Sequence, residues 1–530
     1  MHFTSYSFII FLTILFITYY LIPKKFQWRL LLGASYLFYC FAGVKYVLYI
    51  LITTISTYLI SHKIGKLQKV QADYIKLHKS EISKEERKAY KASIKSIEWK
   101  WLLLCLLSNF GILAVVKYAD FVILNINLIS QEMGNQGQLS FWKIALPLGI
   151  SFYTFQTMGY IIDVYRGKYP PERNLFKLAL FVSFFPQLIQ GPISRFDDLS
   201  KTLFEEHSYN SRNLTFGLQR ITWGFFKKLV IADRILVAVN TIIRDTETYQ
   251  GAFVFIGMLF YAFELYADFT GGIDITIGIA QVFGIKVKEN FERPYFSKSI
   301  LEYWRRWHIT LGTWFKEYVF YPVSVCKPML NLSKYSRKHF GEAIGKRLPV
   351  YISTIVVWFV TGLWHGANWN FIVWGLMNCA VILISQELNP FYKWFHNKFN
   401  VKTTFLFRLF QVVRTVLLMS SIRLFDCYRD VPLTFKMFGT MFTKFDINVF
   451  FNGALMNLGL QMADYIVLLF SFVIILTVSL LQRRGSIREN MERSQGFIPY
   501  LVYYTLLISI LIFGAYGVGY NASQFIYNQF

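Results

Sequence analysis

The chain is 530 residues long, 55% hydrophobic and 19% aromatic, and carries a formal net charge of +24 at pH 7. Such a length in water implies several domains, but stretches of about 20 apolar residues, each enough to cross a bilayer, recur throughout and exclude a soluble protein. The positive charge lies in loops between those stretches, which argues against nucleic acid as its partner and for a cytoplasmic face against anionic lipid.

In chain order, apolar stretches fall at 5–22, 29–60 (long enough for two helices), 101–129, 141–164, 175–193, 252–283, 351–385, 405–424, 465–481 and 498–518. They predict an all-α polytopic membrane protein with about ten to twelve transmembrane helices plus shorter re-entrant or interfacial ones. The first stretch is not read as a cleaved signal peptide, because residues 1–6 carry no Lys or Arg and no small-residue cleavage site follows. Residues 61–100 hold eleven Lys and Arg against five acids, a bias that places this loop inside the cell. Their three- and four-residue charge spacings suit an exposed helix. Residues 327–347 and 483–493 are further basic loops. Cys40, Cys105, Cys326, Cys379 and Cys427 show neither disulfide-framework nor metal spacing, so no metal site is expected.

From about 141 to 385 the apolar sequence is interrupted by Pro147, Gly149, Gly159, Pro186, Gly191-Pro192, Gly271-Gly272, Pro294, Gly312, Pro322, Gly362 and Gly366. Broken backbone at membrane depth is tolerated where protein or a water-filled cavity satisfies it. The chain therefore reads as one membrane domain over 1–530. Its catalytic core lies at 141–390, between N-terminal helices (1–140) and C-terminal helices (391–530).

Inside that core Glu264, Asp268 and Asp274 fall within one apolar run, and Glu264 and Asp268 share a helix face. Unpaired in hydrocarbon they are too costly, so a partner is required, with Arg305 and Arg306 as candidates. A structural ion pair is the plainer reading of these acids. The run 303–321 mixes Trp304, Trp307, Trp314 and Tyr318 with Arg305, Arg306 and Lys316, and predicts an amphipathic interfacial or re-entrant helix.

Two histidines 57 positions apart stand in Trp-rich sequence: His308 closes Tyr303-Trp304-Arg305-Arg306-Trp307-His308, and His365 sits in Gly362-Leu363-Trp364-His365-Gly366. Imidazole is the side chain best matched to proton transfer near neutral pH, and a polar group at membrane depth is a functional candidate by default. A satisfied core histidine is the bland alternative. Trp304, Trp307, Trp364 and Trp369 would wall such a site against water. Asn368 or a backbone N–H would face a developing oxyanion. Arg305 and Asp268 complete the candidate substrate-binding set.

These residues carry a resemblance. Residues 151–156 (Ser-Phe-Tyr-Thr-Phe-Gln), 162–167 (Ile-Asp-Val-Tyr-Arg-Gly), 186–193 and 225–233 (Phe-Phe-Lys-Lys-Leu-Val-Ile-Ala-Asp), with 303–311 and 362–374, are similar in order and content to the membrane-bound O-acyltransferase superfamily, specifically its bacterial alginate and peptidoglycan O-acetyltransferases. The resemblance implies a ring of helices around a central tunnel in the bacterial plasma membrane. It also implies acyl transfer from a cytoplasmic thioester (acetyl-CoA or an acyl carrier protein, a substrate and not a bound cofactor) to an extracytoplasmic polysaccharide, through an extracellular acyltransferase partner. The family's invariant His falls on His365 and its second on His308. The final residues Gln524-Phe525-Ile526-Tyr527-Asn528-Gln529-Phe530 resemble a C-terminal aromatic-Tyr motif of the same enzymes, with Asn528 where an aromatic is usual. The Tyr527 phenol would be an acyl relay; an interfacial aromatic belt is the alternative. D-alanyl transfer to teichoic acid and a transporter without chemistry are the rival readings.

Overall fold

The computed structural model describes residues 3–135, 137–494 and 496–516. Among them the chain is helical, and the only strand-like pairing is an isolated bridge between Phe291 and Trp307. Seven of the described helices are long and apolar enough to cross a membrane, and three shorter apolar helices accompany them. This is an integral, multi-pass membrane protein. Backbone contacts divide it into two compact units, Met1–Leu214 with Ala280–Lys288, and Thr215–Ile279 with Glu289–Phe530.

The first unit holds α1 (Tyr6–Leu21), α2 (Gln27–Cys40), α3 (Val47–Leu77), α4 (Lys84–Glu132), α5 (Ile150–Tyr165) and α6 (Leu175–Ser183). The stretch 29–60 does supply two helices. α3 buries Thr53, Thr54, Thr57 and Ser61. Asn109 Nδ2 of α4 donates to Ser56 Oγ at 3.1 Å. Small polar side chains let membrane helices approach closely and hydrogen-bond across the seam. α4 starts at a capping box, Ser83 with Glu86, and runs 49 residues. At 1.5 Å per residue that is about 73 Å, more than twice the hydrocarbon thickness. The basic region 61–100 is thus mostly helical, its turn falling between α3 and α4.

Two stretches differ from expectation here. A helix was expected from 141, but it begins only at Ile150, behind Pro147 and a left-handed Gly149 (φ 68°), where any Cβ would strike the Leu188 carbonyl. The irregular approach is held by Asp120 of α4, which accepts the N–H groups of Trp142 at 2.7 Å and Lys143 at 3.0 Å. The stretch 175–193 breaks at Phe184, ahead of Pro186, into α6 and a short turn of helix.

The second unit begins within α7 (Ser211–Phe225), at Thr215, and α7 widens into a π-helical turn over Phe226–Ala232. α7 lies against α8 (Ala252–Val282) at Gly224, Gly271 and Gly278, where a Cβ would collide with the opposite backbone. The wide turn carries Lys227 and Lys228 onto α8. Lys227 Nζ lies 2.5 Å from Asp274, and Lys228 Nζ lies 2.6 Å from Asp268 and 2.8 Å from Asp233. Arg220 adds a second bond to Asp274 at 2.9 Å. This corrects the expected pairing. Asp268 is met by Lys228, while Arg306 bonds Glu302 on its own helix at 2.7 Å and Arg305 is exposed.

The run 303–321 is broken, in contrast to the single amphipathic helix expected. α9 (Ile300–Arg306) ends at Trp307, and α10 (Ile309–Phe315) starts anew after His308. Beyond it follow α11 (Lys327–Phe340), α12 (Glu342–His365), α13 (Trp369–Glu387), α14 (Asn389–Lys398), α15 (Phe405–Tyr428), α16 (Met462–Leu481) and α17 (Ile498–Phe513). α12 and α13 form a tight hairpin, since a Cβ on Gly362 would meet the Phe371 carbonyl and one on Gly375 the Trp358 carbonyl.

Candidate active site

His365 is the last residue of α12, and 7% of its surface is exposed. Gly366 ends the helix in extended backbone (φ −174°) against the Phe371 ring, leaving no space for a side chain. The His365 ring stands edge-on to Trp364 at 5.1 Å and to Trp374 of α13 at 4.6 Å.

His308 reaches the same place by another route. It is the N-cap of α10 in the left-handed region (φ 49°, ψ 51°), with 3% of its surface exposed. A non-glycine residue there costs of order 1–3 kcal/mol and persists only where its surroundings impose it. The segment 289–292 supplies that. Glu292 N–H donates to the Arg306 carbonyl at 2.9 Å and Ile309 N–H to the Asn290 carbonyl at 3.0 Å. Asn290 Oδ1 accepts from both the N–H and the hydroxyl of Thr310. Phe291 packs on Trp307 at 5.0 Å. The His308 ring is thereby set edge-on to Phe269 of α8 at 5.0 Å and to Trp364 at 5.7 Å. Trp364 therefore touches both imidazoles. Burial, joined by the charge of Arg423, pushes His308 from 6.5 down to about 3. It stays neutral at physiological pH and able to accept a proton or a hydrogen bond.

Both histidines line one cleft of about 500 Å³ between α9–α10 and the α12–α13 hairpin, with Trp304, Arg305, Trp307 and Trp358. Trp304 donates its indole N–H to Asn378 at 3.2 Å. Trp307 stacks on Tyr303 with centroids 5.5 Å apart. Three other candidates stand elsewhere. Asn368 is exposed and caps α13, its side-chain oxygen accepting the Trp369 N–H at 2.7 Å, and the Trp369 side chain is 53% exposed. Asp268 lies in the lysine clasp, and its neighbour Phe269 touches His308. Tyr527 lies outside the described residues.

Three residues that sequence reasoning missed complete the wall. Trp358 and Trp374 pack edge-on to Trp304 at 4.9 and 5.6 Å. Arg423 of α15, 4% exposed, places its guanidinium 5.6, 5.1 and 5.1 Å from the rings of Trp304, Trp307 and Trp374 and pairs with Asp426 at 2.8 Å. Cations over indole faces are attracted most strongly when desolvated. A signal existed: Arg423 and Asp426 are charges spaced i,i+3 at the end of an apolar run.

A helical, multi-pass membrane protein with two buried histidines on one tryptophan-walled cleft is equipped for proton transfer away from bulk water. Comparison with known proteins narrows that class. A model of the membrane-bound O-acyltransferase family matches residues 171–427. A protein of Pseudomonas syringae pv. tomato named probable alginate O-acetylase is 32% identical over 86% of this chain and 78% of its own length. One of the same name from Azotobacter vinelandii is 34% identical over 70% of this chain and 65% of its own length, slightly under two thirds. A peptidoglycan O-acetyltransferase of Helicobacter pylori is 32% identical over 71% of this chain and 67% of its own. The chain belongs to the membrane-bound O-acyltransferase family.

Proposed function

We propose that this protein is an O-acetyltransferase of a bacterial plasma membrane. It takes an acetyl group from a cytoplasmic thioester, acetyl-CoA or an acylated carrier protein, and passes it through a central tunnel toward hydroxyls of a cell-surface polysaccharide. An extracellular acyltransferase partner completes the transfer. The observation that carries this is the convergence of His365 and His308 on one cleft, bridged by Trp364. The names of the relatives, both alginate and peptidoglycan O-acetylating proteins, support acetyl as the group moved. In this reading the three shorter apolar helices also cross the membrane, beside the seven long ones, for about ten crossings.

In this reading His365 takes the proton of the attacking hydroxyl as its oxygen bonds to the thioester carbonyl carbon. The tetrahedral intermediate collapses with loss of thiolate, which the same imidazole reprotonates. Neutral His308 orients the nucleophile or the imidazole across Trp364. If the first acceptor is the Tyr527 phenol, the product is an aryl ester still activated for a second transfer. Expression in a host lacking its own surface-polymer acetyltransferase, with its partner genes, tests the reading. Base-labile acetate should appear on the polymer with the wild-type protein and not with His365→Ala, both present in the membrane at equal amounts. Equal acetate from the two would overturn the assignment.

A further inference from the structure

A second cavity, small and polar, lies behind Phe291, the ring that packs on Trp307 of the cleft, and it shares no lining residue with the cleft. It measures about 90 Å³ and is walled by α7, α8, the segment 289–293 and the last two turns of α16. Three cations line it, Arg220, Lys227 and Arg293, against two carboxylates, Asp274 and Glu289. Both carboxylates are engaged: Lys227 holds Asp274, and Arg220 reaches Asp274 at 2.9 Å and Glu289 at 2.5 Å. The Arg293 guanidinium meets no carboxylate or hydrogen-bond partner among the described residues. The cavity therefore carries one positive charge in excess. Arg293 is also held in left-handed backbone (φ 48°, ψ 57°) directly before Pro294, whose ring ordinarily drives the preceding residue into extended backbone. Strain of this kind persists where the surroundings impose it, and it clusters at ligand clamps.

We propose that this cavity takes the phosphate of an anionic phospholipid. Its volume suits a phosphate group with the start of its glycerol chain and excludes a nucleotide. The rim lies where a lipid-facing helix ends. Phe472, Val473, Leu476 and Leu480 of α16 are exposed, and so is Gln482, which lines the cavity. Acyl chains on that face bring a headgroup to the cavity mouth. Arg483 and Arg484 follow, both exposed, at the start of a basic loop of the kind retained in the cytoplasm. Basic pockets between membrane helices at that face suit anionic headgroups, and a guanidinium offers phosphate two parallel N–H donors. Nothing in this site depends on acetyl transfer. Its occupant braces 289–293, the segment that imposes the left-handed turn of His308, so the lipid supports that clamp from behind.

The test is lipid binding to the full-length protein, delipidated in a neutral detergent, read by native mass spectrometry and by apparent Tm. The probes are phosphatidylglycerol, phosphatidylcholine (whose choline cancels the phosphate charge) and inorganic phosphate. The wild type is expected to retain phosphatidylglycerol at least about fivefold better than phosphatidylcholine, the contribution of about one cation at a membrane surface, and to gain Tm with it. Arg293→Gln and Arg293→Gly lose the preference, and Arg293→Lys keeps most of it. Glycine accepts the left-handed turn without strain, so loss in a folded Arg293→Gly protein reports the missing charge. Glu289→Gln, which removes an opposing carboxylate, strengthens the preference. Lys84→Gln/Lys88→Gln, which takes more charge from the basic region 61–100, leaves it unchanged. Retention of phosphatidylglycerol against excess inorganic phosphate identifies the lipid as the source. An Arg293-dependent gain in Tm with inorganic phosphate and none with phosphatidylglycerol assigns the cavity to free phosphate and overturns the lipid. A preference that survives both Arg293→Gln and Arg293→Gly, or that falls as far with Lys84→Gln/Lys88→Gln, overturns the site.

Discussion

The two histidines of the cleft are held in opposite ways. His365 ends a regular helix, and its placement follows from chain-local features: Gly366 stops α12, and Gly362 with Gly375 seats the hairpin. His308 occupies a strained left-handed turn that its own sequence would not choose, and a segment some sixteen to nineteen residues earlier imposes it. The difference teaches that one imidazole is fixed by secondary structure and the other by tertiary clamping. Perturbing the surroundings should thus move His308 well before His365.

The comparison is first sharpened by removing each ring. His365→Ala should lower acetyl transfer by about 10²–10⁴, the usual loss for an absent general base. His308→Ala should cost less, because an orienting group leaves the proton acceptor in place. Measured polymer acetate in the double variant should match the worse single variant if the two act as a unit. Losses that multiply would make them independent sites and break the pairing across Trp364.

The clamp is tested next through the lysine clasp. Lys228 is buried between Asp268 and Asp233, and breaking a buried ion pair by removing one partner typically costs about 3–5 kcal/mol. Lys228→Met should therefore lower the apparent Tm of the detergent-solubilised protein by many degrees. Lys228→Met/Asp268→Asn should recover part of that. Residual activity should fall through the His308 side, because Phe269, which touches His308, follows Asp268 on α8. An unchanged Tm would mean that the clasp contributes little.

These contrasts also explain what was legible beforehand. His365, His308, Trp304, Trp307 and Trp364 stand out in the sequence because they fall in short contiguous motifs, and the structure gathers all but Trp364 around one cleft, with Trp364 packed on both imidazoles. The helical, membrane-spanning character was readable from apolar length alone. Partners across sequence distance were not. Arg306 was a reasonable mate for Asp268 by charge, yet the π-helical turn at Phe226–Ala232 swings two consecutive lysines onto α8, a geometry no periodicity announces. The sequence offers Asn368 or a backbone N–H for an oxyanion, but in the structure the Asn368 side-chain oxygen caps the helix that starts after it. Trp358 and Trp374 lie within apolar stretches, where a membrane-facing and a cleft-facing aromatic look alike, whereas Arg423 is marked only by its i,i+3 charge spacing to Asp426.

The smallest expected effect concerns protons and separates burial from charge at His308. Its folded value of about 3 lies below the ordinary 6.5. The unfolded chain thus binds a proton between those limits that the folded chain refuses. Stability should be flat above about pH 6.5 and fall as pH drops from there toward 3, by up to about 1.4 kcal/mol per unit from this group. Arg423 reinforces the burial, so Arg423→Met should raise the folded value toward normal and soften the acid loss, even though removing the guanidinium from the three indoles lowers Tm at neutral pH. Arg423→Lys keeps the charge and should keep the steep acid limb. The measurement is apparent Tm against pH for wild type, both Arg423 variants and His308→Gln. The last has no imidazole to protonate and sets the baseline. If His308→Gln loses stability on acidification as steeply as the wild type, the acid sensitivity belongs to other groups, and the tertiary clamp holds an imidazole whose protonation the fold does not resist.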